Sequence, residues 1–218
     1  MINKIKGVIF DLDGTLIDSM WIWEQIDIDY FNKLNIPMPK DLKDKINHLS
    51  FKDTAIYFKN TFNIPDSIDE ICEEWNNRAL FYYSNKVALK QGVLKLLKFL
   101  KSRNIKIALA TSNSEILLKA SLTHTKIIDY FDVISTTSEV NNGKNKPDIY
   151  LLTAKKLSLD PKNCLVFEDI YEAIIGAKSA GMTVCAIYDK YSDYNKDKIT
   201  KLSDFYIKDF TEIIPKIV

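Results

Sequence analysis

Beyond residue 93, short apolar runs alternate with segments of helical periodicity, and this alternation restricts what the chain can fold into. The apolar runs have the length and flanking turn residues of buried strands, at residues 105–110, 131–135, 164–167, 183–187 and 205–207. The helical segments cover residues 93–100, 116–123, 147–157, 171–180 and 210–217. Strand–helix alternation of this kind predicts βαβ units and a parallel sheet.

Another apolar run lies near the N-terminus, at residues 8–10, and two carboxylates, Asp11 and Asp13, follow it at once. The run has the length and composition of a buried parallel strand. Gly14 and Thr15 then form a turn. Because ligands of an open α/β sheet bind beyond the carboxyl ends of its strands, we expect Asp11 and Asp13 to lie where such a fold does its chemistry.

Residues 16–88 have helical periodicity and no convincing strand pattern. Asp18 and Ser19 can cap the first predicted helix, at residues 20–34. A second helix is predicted at residues 40–46, and two more begin near residues 51 and 65.

The expected fold is therefore α/β, a doubly wound parallel sheet with an inserted all-helical cap domain. Residues 1–15 and 91–218 would form the sheet domain, and residues 16–90 the cap. Since the insertion follows Thr15 directly, we expect it to cover the site as a lid.

The charge balance argues against a nucleic-acid or membrane partner. Lys and Arg total 30 against 29 Asp and Glu, so the formal net charge is +1 and no bulk field favours polyanions. No signal segment and no apolar run long enough to cross a membrane is visible. Cys72, Cys164 and Cys185 show neither metal-ligand spacing nor a disulfide framework. These features predict a cytoplasmic protein.

Three later strand ends also deliver polar side chains. The strand at 105–110 runs into the turn Thr111-Ser112-Asn113-Ser114, whose hydroxyls and helix-start N–H groups suit an anion. A loop carries Lys144 in front of the next helix, and the strand at 164–167 ends in Glu168 and Asp169. Together, these strand ends would gather carboxylates, hydroxyls and an ammonium group at one edge of the sheet.

This combination is typical of a site for a phosphoryl group and a hard cation. The four carboxylates would repel one another unless a cation neutralised them, and Mg²⁺ prefers oxygen ligands. Thr111 and Lys144 supply donors that suit phosphate oxygens. A carboxylate can act as a nucleophile and form an aspartyl-phosphate, and a second acid can serve the leaving group.

Asp11-Leu12-Asp13-Gly14-Thr15, Thr111, Lys144 and Glu168-Asp169 together resemble motifs I to IV of the haloacid dehalogenase (HAD) superfamily. The helical insertion after the first motif is similar to the C1-type cap of subfamily I, in the branch of the β-phosphoglucomutases and phosphoglycolate phosphatases. The resemblance covers essentially the whole chain.

The resemblance implies roles for the acidic residues. Asp11 would be the nucleophile and Asp13 the general acid and base. The Asp11 carboxylate, the Asp13 carbonyl and Asp169 would hold Mg²⁺, with Glu168 as a direct or water-mediated ligand.

It also implies how a phosphoryl group would be bound. Thr111 would contact a phosphoryl oxygen, helped by the backbone N–H groups of Leu12 and Ser112. Lys144 would neutralise charge on the nucleophile and the phosphate. Lys144 is the match to the family's lysine, rather than Lys146, because it stands three residues before the proline of the following Pro-Asp pair.

The function so implied is a Mg²⁺-dependent phosphatase of a small phosphorylated metabolite, acting as a monomer because its own cap can close the site. A sugar-phosphate mutase is the alternative, although Trp23 and Phe51 stand where β-phosphoglucomutases carry a cap histidine and arginine. A true haloacid dehalogenase needs neither Asp13 nor a metal. A catalytically silent phosphate-binding module is a further alternative. Candidate cap contacts to the substrate are Trp23, His48 and Ser50.

Overall fold

A computed structural model describes residues 4–46, Leu49 and residues 51–213 of the chain. These residues form two compact units. The sheet unit is built from the described residues up to Met20 and from Val87 onward, and the helical unit spans Trp21–Lys86. The predicted fold class, an α/β sheet with a helical insertion, is confirmed.

The described chain contains the six predicted strands, in the predicted order, and two short strands besides. They are β1 (Gly7–Phe10), β2 (Ile17–Asp18), β3 (Ala88–Leu89), β4 (Lys106–Thr111), β5 (Val133–Thr136), β6 (Cys164–Glu168), β7 (Thr183–Ile187) and β8 (Phe205–Ile207). Within these ranges one six-stranded parallel sheet has the order β5-β4-β1-β6-β7-β8. The chain proceeds from β1 to one side of the sheet and then returns to the other, so the reversal of strand order occurs beside β1.

The helices of the described chain are divided between the two units. They are α1 (Trp21–Leu34), α2 (Leu42–Ile46), α3 (Phe51–Phe62), α4 (Ile68–Asn85), α5 (Val93–Ser102), α6 (Glu115–His124), α7 (Asp148–Lys156), α8 (Tyr171–Ser179) and α9 (Lys196–Leu202). The sequence pattern does not predict α9, because only Ile199 and Leu202 are apolar in it. Of the helix predicted at 210–217, a 3-10 turn covers Phe210–Glu212, and residues 214–217 lie outside the described ranges.

β1 is buried along its whole length because both faces of the sheet are covered. On one face, Ile9 and Val166 belong to a core cluster that includes residues of α7, α8 and α9. On the other face, the Phe10 ring stacks on Phe167 at a centroid distance of 5.0 Å, and Phe210 packs against both rings. The central strand and its end are therefore held rigidly.

Two short strands at the ends of the insertion correct the prediction that residues 16–88 contain no strand. β2 pairs antiparallel with β3, with Ile17 opposite Leu89. Each strand has two residues, which is too short for an alternating pattern to show. This ribbon places residues 16–20 and 87–90 with the sheet unit, whereas the sequence analysis assigned residues 16–90 to the cap.

The helical unit has an aromatic core of its own. Trp75 of α4 packs edge-on against Phe58 of α3 and Tyr30 of α1, at centroid distances of 4.9 and 5.8 Å. Helix α4 begins with a capping box between Ser67 and Glu70, close to its predicted start. In the parts of the chain that the structure describes, no helix combines the length and the apolar character needed to cross a membrane.

Candidate active site

The register of the central strands brings two chemically important strand ends side by side. Phe10 of β1 pairs with Phe167 of β6. The next residue, Asp11, donates its N–H to the Phe167 carbonyl oxygen at 3.0 Å. Asp11 and the acids that end β6 therefore emerge at the same edge of the sheet, beside the reversal of strand order.

Three carboxylates converge at this edge. Asp11, Glu168 and Asp169 are all buried, and each offers a carboxylate oxygen within 4.8 Å of the other two. Burial, followed by repulsion from Asp11 and Glu168, raises the pKa of Asp169 well above its usual value. Burial, partly offset by the Lys144 ammonium, raises the pKa of Glu168 to about 7. A crowded set of oxygen ligands of this kind favours a hard divalent cation.

The backbone beside the three carboxylates fits a metal site. Gly14 has a φ of +76°, and a Cβ at this position would lie 2.5 Å from Asp169 Oδ2. Thr15 donates its hydroxyl to Asp169 Oδ1 at 3.1 Å. Gly14 therefore leaves room for the Asp169 carboxylate while Thr15 orients it, and the donor set suits a hard divalent cation.

Lys144 reaches the acids from the loop before α7. Its Nζ donates to Asp11 Oδ1 at 2.6 Å and also pairs with Glu168 Oε1, and the lysine side chain is only 9% exposed. Burial alone would lower the pKa of Lys144, but the charges of Asp11 and Glu168 outweigh burial and raise it. The ammonium therefore stays charged beside the predicted nucleophile. By contrast, Lys146 is exposed.

Gly176 of α8 lets the Lys144 loop pack closely on that helix. A Cβ at Gly176 would lie 2.0 Å from the Lys144 carbonyl oxygen and 2.7 Å from the Lys146 carbonyl oxygen. Both are backbone atoms, so they cannot swing aside as the end of a side chain could. Gly176 is not among the predicted site residues, although a glycine inside a helical pattern is a signal for a close approach.

Tyr150 of α7 is another partner of Glu168 that the sequence analysis missed. Its buried hydroxyl donates to Glu168 Oε1 at 3.0 Å, and the Asp169 N–H donates to Glu168 Oε2 at 3.3 Å. Burial, followed by the charge of Glu168, raises the pKa of Tyr150 well above its usual value, so the hydroxyl keeps its proton. Glu168 is therefore oriented by donors on both carboxylate oxygens.

Asp13 is half-buried and accepts hydrogen bonds on both carboxylate oxygens. Ser19 Oγ donates to Oδ1 at 2.6 Å, and Asn113 Nδ2 donates to Oδ2 at 2.8 Å. The sequence pattern predicts only helix capping for Ser19 and only a polar turn for Asn113. No periodicity in the sequence relates either residue to Asp13.

The turn after β4 carries the residues predicted to bind phosphate. Thr111 is buried, and its Oγ1 accepts the Asn113 N–H at 3.0 Å. Ser112 is exposed, and Ser114 caps α6. Leu12 is buried within the loop between Asp11 and Asp13. Their contacts with a phosphoryl group stay a prediction.

Of the three predicted cap contacts, the structure describes Trp23, which lies in α1 of the helical unit. Trp23 is 40% exposed, and its ring meets the edge of the Phe51 ring at a centroid distance of 5.9 Å. His48 and Ser50 lie outside the described residues. A substrate contact by any of these three residues stays a prediction.

Known proteins similar to this chain include proteins named as phosphatases. A family model described as haloacid dehalogenase-like hydrolase matches residues 8–187. The chain is 30% identical to the phosphorylated carbohydrates phosphatase of Thermotoga maritima, over 82% of each protein. It is 27% identical to hexitol phosphatase B of Escherichia coli, over 98% of this chain and 96% of that relative.

A solved structure shares the whole architecture. It comes from Thermotoga maritima, is provisionally described as a β-phosphoglucomutase, and is 25% identical to this chain. The match has a TM-score of 0.86 and covers 98% of this chain and 100% of that one.

Proposed function

The chain belongs to the haloacid dehalogenase-like hydrolases, and from that membership we propose a Mg²⁺-dependent phosphatase that hydrolyses a small phosphorylated metabolite through an aspartyl-phosphate. The observation that carries this proposal is the 2.6 Å contact of Lys144 with Asp11 beside the buried acids Glu168 and Asp169. A buried ammonium group that contacts one carboxylate of a crowded set supports the proposal that this site binds a phosphate group.

Asp11 is the proposed nucleophile. The hydrogen bond from Lys144 Nζ to Asp11 Oδ1 fixes the direction of the carboxylate. An oxygen of Asp11 forms a bond to phosphorus while the bond from phosphorus to the leaving oxygen breaks, which gives the aspartyl-phosphate. Lys144 then offsets the charge that accumulates on the phosphoryl oxygens.

Asp13 is the proposed general acid and base. In the first half-reaction it gives a proton to the leaving oxygen, so that an alcohol departs. In the second half-reaction it takes a proton from the water that attacks phosphorus, and the bond between phosphorus and Asp11 breaks. Inorganic phosphate leaves, and both aspartates return to their starting states.

Thr111, Ser112 and Leu12 are the proposed donors to the phosphoryl oxygens. Thr111 is the last residue of β4, Ser112 follows it, and Leu12 lies just beyond β1. An anion there can also approach the start of α6. Their part is to bind and orient the phosphoryl group against Asp11.

The proposed Mg²⁺ ligands are the Asp11 carboxylate, the Asp13 carbonyl and Asp169, with Glu168 bound directly or through water. When bound, the cation supplies positive charge that offsets repulsion between the carboxylates and the phosphoryl oxygens. Thr15 holds Asp169 in the orientation seen here.

We expect added Mg²⁺ to raise the melting temperature and EDTA to abolish phosphatase turnover reversibly. The reason is that the cation relieves repulsion among three buried carboxylates in the folded state only. Asp169→Asn should lose most of the Mg²⁺-dependent rise in melting temperature, whereas Asp197→Asn, at an exposed position, should keep it. Full turnover in excess EDTA would contradict the metal assignment.

We expect Gly176→Ala to destabilise the protein, although the same change in an ordinary helix stabilises it by roughly 1 kcal/mol. The new methyl group must displace the backbone of the Lys144 loop. Overpacking of this kind costs about 1–3 kcal/mol of unfolding free energy, and moving Lys144 should lower kcat about tenfold or more. Urea denaturation and turnover measure the two effects.

Ser179→Ala, at an exposed position of the same helix, is the matched control. Its unfolding free energy should stay within about 0.5 kcal/mol of wild type. A Gly176→Ala protein that was more stable than wild type and fully active would show that the loop does not depend on this close approach.

Phosphorylated sugars and sugar alcohols are the proposed substrate class. The support comes from the relatives, whose names specify phosphorylated carbohydrates and hexitol phosphates. A screen that measures phosphate release from sugar phosphates, hexitol phosphates, nucleotides and short phosphorylated acids tests this class. Preference for a nucleotide would contradict it.

A sugar-phosphate mutase is the second candidate, because the matching structure is provisionally described as a β-phosphoglucomutase. Trp23 and Phe51, at the positions where the resemblance calls for a cap histidine and arginine, favour the phosphatase. Incubation with β-glucose 1-phosphate separates the two, since a mutase forms the 6-phosphate and a phosphatase releases inorganic phosphate. A silent phosphate-binding module would bind phosphate without turning over any substrate.

We further propose that the protein acts as a cytoplasmic monomer without a nucleic-acid partner. The support is the formal net charge of +1 and the presence of all the proposed core groups within one chain. A dehalogenase is disfavoured by Asp13 and Asp169. Sedimentation at micromolar concentration tests the monomer.

A further inference from the structure

We infer that Ser19 and Asn113 are positioning residues that hold the Asp13 carboxylate from two sides. The inference rests on the proposed function, in which Asp13 moves the proton. Ser19 Oγ lies 2.6 Å from Asp13 Oδ1, and Asn113 Nδ2 lies 2.8 Å from Oδ2. Each carboxylate oxygen thus has its own donor, and the two donors come from distant parts of the chain.

The direction of the Asn113 amide follows from its other contacts. Asn113 Oδ1 accepts the Ser114 N–H at 2.8 Å. A backbone N–H can only donate, so the amide oxygen must face Ser114 and the amide nitrogen must face Asp13. Asn113 also donates its own backbone N–H to Thr111 Oγ1 at 3.0 Å. The same turn therefore orients both the proposed phosphate-binding hydroxyl and Asp13.

Ser19 is held in place by the short β ribbon. It is 1% exposed and directly follows β2, whose Ile17 and Asp18 pair with β3. Because a carboxyl oxygen keeps a lone pair even when the group carries a proton, Ser19 can go on donating to Asp13 Oδ1 in both protonation states. Asn113 keeps donating to the other oxygen in both states.

A general acid works only when its proton lies in line with the leaving oxygen, so a freely rotating Asp13 would be slower. The two hydrogen bonds restrict rotation of the Asp13 carboxyl group, because each holds one of its oxygens. Their loss should therefore slow the steps in which Asp13 transfers a proton and spare the attack by Asp11.

Two substrates separate these steps. p-Nitrophenyl phosphate releases a stable phenolate that needs no proton, whereas benzyl phosphate releases an alkoxide that does. We expect Ser19→Ala and Asn113→Ala to show a p-nitrophenol burst of about one equivalent, at a rate within about twofold of wild type, because Asp11 is untouched. Steady-state turnover of p-nitrophenyl phosphate should then fall about tenfold, and its KM should fall as well, because hydrolysis of the aspartyl-phosphate limits the rate. Turnover of benzyl phosphate should also fall about tenfold.

Conservative and distant variants complete the test. Ser19→Thr keeps a hydroxyl and should restore most of the turnover lost in Ser19→Ala. Ser102→Ala and Asn85→Ala remove side chains whose bonds go to exposed helix carbonyls, and both should match wild type with either substrate. Thermal denaturation of every variant shows that it is folded.

Three outcomes would overturn the inference. If both alanine variants turn over benzyl phosphate as Ser102→Ala does, the contacts do not position Asp13. If the p-nitrophenol burst slows as much as benzyl phosphate turnover, the contacts support the whole site rather than Asp13. If Asp13→Asn itself keeps wild-type turnover, the proposed function fails and this inference fails with it. An inactive Asp13→Asn beside unaffected Ser19→Ala and Asn113→Ala would leave the proposed function standing and remove this inference alone.

Discussion

Asp11→Asn is expected to lower phosphatase turnover about 10⁴-fold or more, as the loss of a covalent nucleophile does in other enzymes. An amide oxygen is a poor nucleophile, so the aspartyl-phosphate would not form. The substitution keeps the shape of the side chain and an acceptor for the Lys144 ammonium. The loss should therefore appear in kcat, and it can be measured with p-nitrophenyl phosphate and Mg²⁺.

The stability of the same variant gives an independent check. This cluster holds three buried carboxylates, and the Lys144 ammonium contacts two of them, so removing one negative charge should leave the melting temperature without metal unchanged or higher. Asp197→Asn, at an exposed position, is the matched control and should change neither the turnover nor the melting temperature. An Asp11→Asn protein with turnover close to wild type would refute the assignment of the nucleophile.

Lys144→Met is expected to have the opposite effect on stability and a large effect on turnover. The substitution leaves Asp11 and Glu168 buried without the cation that they share. Removing one partner of a buried ion pair costs about 3–5 kcal/mol of unfolding free energy. Turnover should fall about 10²–10³-fold, because a fixed charge at the developing phosphoryl oxygens is lost. Urea denaturation in EDTA and steady-state kinetics in Mg²⁺ measure the two losses.

A double variant separates charge from packing. Lys144→Met combined with Glu168→Gln removes one negative charge as well, and the glutamine oxygen can still accept the Tyr150 hydroxyl. This variant should recover part of the lost stability and none of the turnover. Lys146→Met, at an exposed position of the same loop, should stay within about 0.5 kcal/mol of wild type. Equal losses for Lys144→Met and Lys146→Met would contradict the proposed role of the buried pair.

The sheet could be predicted largely from local pattern. β6, β7 and β8 coincide with their apolar runs or extend them by one residue, because strands buried on both faces are nearly continuous apolar segments. β2 and β3 could not be found this way, since two-residue strands depend on their pairing partner rather than on periodicity. Helix α9 was missed for a similar reason, because Ile199 is its one buried residue.

The candidate site, too, could be predicted only in part. Asp11, Glu168 and Asp169 could be predicted to meet because strand ends share one edge of a parallel sheet, and the structure brings them together. Lys144 could be placed there through the family resemblance, which the family model and the relatives confirm. Neither the shared sheet edge nor the family resemblance indicates which way a side chain from another part of the fold points.

The residues that support the site were missed because their roles are tertiary. Tyr150 reaches Glu168 from a helix, and Asn113 reaches Asp13 from a turn 100 residues away in sequence. Gly176 matters because of the loop that packs against it rather than because of its own helix. Such contacts depend on how separate elements are assembled, which local patterns do not encode.

The central claim is that Asp11 carries the phosphoryl group during turnover. The most direct measurement mixes Asp13→Asn with p-nitrophenyl phosphate and Mg²⁺, quenches the reaction in acid within the burst phase, and determines the intact mass and the modified peptide. Without the base that activates water, the aspartyl-phosphate should accumulate, so we predict one added phosphoryl group on Asp11 and none in Asp11→Asn. A burst of p-nitrophenol with unmodified Asp11, or with the phosphoryl group on another residue, would contradict the account.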